Sequence, residues 1–148
     1  MIKIGSYLTL GLFLVFSNVL IAQDLNPTGL WKTIDDKTGK PRSLVRIDES
    51  NGEYSATIEK GLLTTDVNEA ICDKCTDERK NQKLIGMTIA KGLKKNGPQY
   101  DGGEILDPDN GKIYRCKMKL DETGNKLEVR GFIGISLLGR SQIWNRVE

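Results

Sequence analysis

The chain has 148 residues, and its 22 basic and 20 acidic side chains are interleaved along the sequence rather than gathered into runs. That pattern excludes a phosphate-tracking surface, so nucleic acid is not an expected partner. It has no histidine, which removes the commonest general base and the commonest metal ligand and leaves any catalysis to carboxylates, lysines or thiols.

Residues 1–22, "MIKIGSYLTLGLFLVFSNVLIA", place Lys3 ahead of an apolar stretch from Leu8 to Phe16 and end on the small Ala22. This is the order of a secretory signal peptide, and cleavage after Ala22 is expected, with Leu20 rather than alanine in the third place before the cut. Ser17 and Asn18 interrupt the apolar run, which falls short of the roughly 20 residues a membrane span needs. No cysteine stands directly after it to carry a lipid. A retained membrane span is therefore not expected. Residues 23–148 have the size of one domain, expected to be periplasmic or secreted.

Within that domain eight strands are predicted, over Leu30–Ile34, Ser43–Asp48, Glu53–Lys60, Leu84–Lys91, Gln99–Leu106, Lys112–Leu120, Lys126–Ile133 and Ser141–Val147. In "IYRCKMKL" the residues Tyr114, Cys116, Met118 and Leu120 alternate with Ile113, Arg115, Lys117 and Lys119, so one face is apolar and the other wet. "NKLEVRGFI" sets Leu127, Val129 and Ile133 against Glu128 and Arg130, and "EYSATIEK" sets Tyr54, Ala56 and Ile58 against Glu53, Ser55, Thr57 and Glu59. Short connections such as "ESNGE" and "DETGNK" carry the residues that tight hairpins require. Antiparallel neighbours with one shared apolar face favour closure, which abolishes sheet edges. The expected fold is all-β: an eight-stranded up-and-down antiparallel barrel, with an open sandwich as the alternative.

Two features interrupt this meander. Gly102 and Gly103, in "YDGGE", are expected to mark a bend or bulge within a strand. The segment from Gly61 to Gln82 is a long non-strand excursion with a short helical reading through Val67–Cys75, of the kind that covers one mouth of a barrel. It carries Cys72 and Cys75 as a C-x-x-C. In an exported protein this is read as a local disulfide. A redox-active pair is the competing reading but lacks its βαβ context, and zinc lacks a fourth ligand. Cys116, on the apolar face of its strand, is expected to be a buried free thiol, with pairing to the excursion as the alternative. "DPDNGK", Asp107 to Lys112, resembles a calcium loop in composition only. Its glycine comes one place early and no glutamate stands at the twelfth position, so a hairpin turn is expected and no metal.

Gly29 and Trp31 open the first strand, whereas Trp144 and Arg146 lie in the last, and closure makes these strands neighbours. Arg146 is therefore expected to lie over the indole of Trp31 and close one end, a structural role for Gly29, Trp31 and Arg146 that would also account for Trp144.

Gly-x-Trp on the first strand with an arginine on the last resembles the lipocalin and calycin signature. Across Gly29 to Val147, "GLWKT", "CDKC", "GGEILDPDNGKIYRCKMKL" and "LEVRGFIGISLLGRSQIWNRV" are similar to a bacterial family of exported proteins, the domain-of-unknown-function family numbered 2147. The resemblance implies a lipocalin-like barrel located in the cell envelope or outside it, and brings no catalytic residues and no cofactor. Tyr100 stands where that family is expected to have a tryptophan before the glycine pair. The functional expectation is a binding protein, not an enzyme, that holds a small apolar or amphipathic ligand against Tyr54, Met87, Tyr114 and Met118. The alternative is a structural or interaction protein of the envelope whose barrel is filled.

Overall fold

The short turns force each strand to pair with the next, and the last pairs with the first. A computed structural model describes residues 25–63 and 69–148, and the signal-peptide expectation for residues 1–22 lies outside them. The strands are β1 (Gly29–Ile34), β2 (Pro41–Ser50), β3 (Glu53–Gly61), β4 (Thr88–Asn96), β5 (Gln99–Asp107), β6 (Lys112–Leu120), β7 (Lys126–Phe132) and β8 (Gly139–Arg146). They form one closed antiparallel barrel in sequence order, as expected. Among the described residues no helix is long and apolar enough to cross a membrane.

Alternation decides what faces inward. On β6 Cys116 and Met118 are buried, and Leu127 and Val129 of β7 and Tyr54, Ala56 and Ile58 of β3 are buried with them. Ile133 departs from the pattern: β7 stops at Phe132, and Ile133 lies beyond the ladder, 64% exposed. The pairing of β5 with β6 shifts register between Tyr100 and Gly103, which places the irregularity where the glycine pair predicted it.

The excursion is longer than expected, because β4 starts at Thr88 rather than Leu84. Residues 83 and 84 are taken by the excursion itself: Ile71 bridges Lys83, and the Leu84 amide donates to the Ala70 carbonyl at 2.9 Å. Those bonds also overturn the helical reading. Val67 and Asn68 lie outside the described residues, and residues 69–75 form no α-helix, since Cys72 exchanges backbone bonds with Asn81 and Gln82 across the excursion instead. At its far end β4 continues to Asn96, carrying the fully buried Leu93 past the predicted stop at Lys91.

The strands run between two ends. One carries the β2–β3, β4–β5 and β6–β7 turns and both chain termini of the barrel. The other carries the β1–β2, β5–β6 and β7–β8 connections and the excursion. The β1–β8 ladder pairs Trp31 with Arg146 and Lys32 with Asn145, close to the first end. Near the second end the seam is carried by side chains: Asp36 accepts from Arg140 at 2.8 Å and from Gln142 at 2.9 Å.

Candidate functional site

The first end is packed shut. Arg146 lies over Trp31 with its guanidinium carbon 4.3 Å from the ring centroid. Its Nε donates to the Gly124 carbonyl at 2.6 Å, Nη1 to Thr28 at 2.8 Å and Nη2 to Asn26 at 2.7 Å, so one planar fork ties the N-terminal segment to the β6–β7 turn. Burial pulls its pKa below the usual arginine value, and the three carbonyls with the π face compensate the charge locally. The indole Nε1 of Trp31, fully buried, donates to the Pro27 carbonyl at 2.8 Å. Gly29 sits beside them at a φ of 125°, and a Cβ there would collide with the Glu148 carbonyl. Next to this cap Tyr54 packs edge-on against Tyr100 at 4.8 Å, and Met118 pairs across from Tyr100. Tyr54, Tyr100 and Met118 are all buried there.

The second end is open. A cavity of about 570 Å³ enters the barrel there. Its buried lining is mostly apolar: Ile58, Ile89, Leu106, Val129, Phe132 and Trp144, joined by the half-buried Ile105 and Tyr114, with the buried Thr33 and Asp35 as its polar members. The Tyr114 hydroxyl accepts from Asn110 Nδ2 at 3.0 Å, which turns the only polar atom of that side chain to the rim. Trp144 thus belongs to the cavity, not to the cap, a correction to the expectation that one stacking interaction accounts for both tryptophans.

The rim is polar and internally paired. Asp35, 7% exposed, accepts from the Thr38 hydroxyl at 2.7 Å and amide at 2.9 Å. The Thr38 hydroxyl bond is the main reason its carboxyl is held below the usual range, with Arg42 adding to it at 3.5 Å. The same arginine reaches Asp109 at 2.5 Å and lowers that carboxyl too. Polar pairs around an apolar chamber can orient one end of an amphipathic molecule while the chamber takes its apolar part.

The excursion lies against this end. Cys72 and Cys75 are joined in a disulfide, and both are buried. A Cβ at Gly111, in the β5–β6 turn, would collide with the Lys74 carbonyl, so the disulfide loop seats directly on that turn. Arg79 grips the Asp77 carboxylate with Nε and Nη2 and donates to the Thr88 carbonyl at 3.1 Å, tying the excursion to the start of β4. The Arg79 guanidinium pulls the Asp77 carboxyl down to about 2. Cys116 is free and buried, and burial pushes its thiol up to about 12, so it is protonated and not a ready nucleophile. Among the described residues no group of three or more cysteine, aspartate or glutamate side chains is placed to hold a metal ion.

Of the four side chains predicted to meet a ligand, Tyr114 alone lines the cavity. Tyr54 and Met118 point inward but belong to the packed end, and Met87 faces a separate cleft with Arg79, Gln82 and Lys91. The isoleucines of the lining and the Asp35–Arg42–Asp109 rim were not singled out. A usable signal did exist for Ile58: it is the last inward residue of its strand before the excursion.

Residues 29–146 match the family described as an uncharacterized protein conserved in bacteria, DUF2147. The chain belongs to that family. The DUF2147 barrel is also similar to a solved structure described as protein HP1028 from the human pathogen Helicobacter pylori, which belongs to the lipocalin family. The two are 20% identical over 83% of this chain and 84% of that one, with a TM-score of 0.72. At that identity the likeness establishes the fold: this DUF2147 chain is a lipocalin-like eight-stranded barrel. No curated protein matches it in sequence.

Proposed function

We propose that this protein is an exported, non-enzymatic binding protein that takes one small apolar or amphipathic molecule into the open end of its barrel. The observation that carries the reading is the apolar chamber of about 570 Å³, well inside the ~300–1,000 Å³ common for small-molecule sites. The fold supports it by analogy, since barrels of eight strands have room for one small ligand. The absence of histidine from the chain and the protonated, buried Cys116 favour binding over catalysis. Export is supported by the residue order of 1–22 and by the disulfide, which suits an oxidising compartment. The competing reading, an envelope protein with a filled barrel, has the packed end in its favour but not the open one.

The test is titration with a dye that fluoresces in apolar sites. The wild type should bind about one dye per chain. Ile105→Lys should abolish binding while circular dichroism stays unchanged, because Ile105 is half-buried in the lining and an unpaired ammonium there is costly to desolvate. No dye binding by the folded wild type, or undiminished binding by the variant, would refute the assignment.

A further inference from the structure

The connection between β7 and β8, "IGISLL", exposes more apolar surface than any turn of this barrel has reason to. Ile133 is 64% exposed, Ile135 60%, Leu137 82% and Leu138 73%. Scattered exposed aliphatics are ordinary, but four within six consecutive residues of one loop form a contiguous apolar surface that soluble monomers rarely keep. The cavity does not account for them. Ile133 and Leu138 reach its rim, whereas Ile135 and Leu137 do not line it at all.

The loop is also built to hold its shape. Arg115 donates to the Gly134 carbonyl at 3.2 Å while lying over the Phe132 ring at 5.4 Å. Arg130 donates to Ser136 at 2.7 Å and to Leu137 at 3.3 Å. The Leu138 amide closes a turn on Ile135 at 3.1 Å. Two arginines therefore satisfy the Gly134, Ser136 and Leu137 carbonyls from the barrel wall, while the aliphatic side chains of the loop stay exposed. Among the described residues neither arginine has a carboxylate within ion-pair distance. From Val129 to Val147 the sequence contains no acidic residue.

We propose that this loop is a membrane-surface anchor: Ile135, Leu137 and Leu138 enter the headgroup–acyl boundary of an anionic bilayer, and Arg115 and Arg130, which brace the loop from behind, add positive charge beside its phosphates. Arg130 reaches Glu128 only through the Ser141 hydroxyl, and Arg115 stands across from Glu104 without an ion-pair contact. An apolar projection flanked by two cations without direct ion-pair partners has the complementarity of an anionic lipid interface. A second copy of the chain fits less well, because a two-fold contact through the same loop would bring the guanidiniums of both copies together. The inference stands on the loop's own exposure and charge and does not depend on the cavity being occupied.

Flotation of the protein with vesicles tests this. The wild type should float with mixed phosphatidylcholine–phosphatidylglycerol vesicles, more weakly with phosphatidylcholine alone, and the anionic advantage should fade in high salt. Ile135→Ser with Leu137→Ser, neither of which lines the cavity, should weaken binding by at least about tenfold, as expected when two large aliphatic side chains lose their burial. Both side chains are exposed, so the fold should tolerate the change, and unaltered dye binding at the cavity would separate this result from loss of the ligand site. As an independent readout, Leu137→Trp should show a blue-shifted emission when anionic vesicles are added. The proposal is overturned if the wild type stays in solution with anionic vesicles, if the serine variant floats as well as the wild type, or if the Leu137→Trp emission does not move. Sedimentation as a dimer that the serine substitutions dissociate would also overturn it, assigning the loop to a copy-to-copy contact.

Discussion

The two ends of the barrel are made from the same alternating strands, and they differ in what sits beyond the strands. At the packed end the connections are hairpins, and large inward residues meet: Trp31, Tyr54, Tyr100, Met118 and Leu127 are all buried. At the open end most connections are longer, the inward residues are mostly branched aliphatics, and carboxylates of the connections pair with arginines at the strand ends around a chamber. Side-chain volume closes one end and loop chemistry frames the other. On the proposed binding role, stability and binding separate along the barrel axis, so substitutions at the two ends should report on different properties.

The largest expected effect comes from Trp31→Ala. Removing a fully buried tryptophan costs about 3–5 kcal/mol, and here it also strands the Arg146 fork. Little folded protein should remain by chemical denaturation, whereas Ile105→Lys at the open end should unfold close to the wild type. Equal losses at both ends would break the comparison. Next comes Arg146→Lys, which keeps the charge but cannot reach the Gly124, Thr28 and Asn26 carbonyls together. A loss of about 1–3 kcal/mol is expected in urea unfolding, with dye binding retained by the folded fraction.

The sequence made the faces of the strands legible but not the height of each residue along the axis. Period-two alternation assigned Tyr54, Ile58, Met118 and Val129 to the interior together. Only their distance from the turns separates Tyr54, one residue into β3 from the β2–β3 turn, from Ile58, near the excursion. Strand tilt and stagger then set which inward residues meet across the barrel, and these are properties of closure that no single strand carries. The Trp31–Arg146 neighbourhood was readable because closure alone implies it. The helical reading of the excursion failed because local propensity competed there with a disulfide and a backbone bridge between Ile71 and Lys83. The rim of Asp35, Arg42 and Asp109 draws on β2 and on two connections far apart in sequence, which no spacing pattern could have revealed.

A smaller effect sharpens the open end. Replacing Cys72 and Cys75 together by serine should cost about 2 kcal/mol at most, because the link closes a very short loop. Its main consequence should be faster amide exchange in residues 69–84 and in the β5–β6 turn on which the disulfide loop rests. Unchanged exchange there would contradict the seating of that loop on Gly111. The smallest effect is in acid. The Asp77 carboxyl, at about 2, lies below its unfolded value of about 3.9. A depressed folded pKa contributes stability that is fully present above pH ~4 and is lost as the pH falls toward 2. Asp77→Asn should therefore make unfolding less pH-dependent between about pH 4 and 2, and a variant with the wild-type acid limb would show that the Arg79 pair does not hold the excursion.

The most direct test of the separation between the ends is methyl and aromatic NMR of the protein with a saturating apolar dye. The structure predicts shifts for the methyl groups of Ile58, Ile89, Ile105 and Val129 and for the Tyr114 ring, while Met118, Leu127 and the Trp31 indole stay in place. Shifts centred on Met118 and Trp31, or none at all in the lining isoleucines, would contradict it.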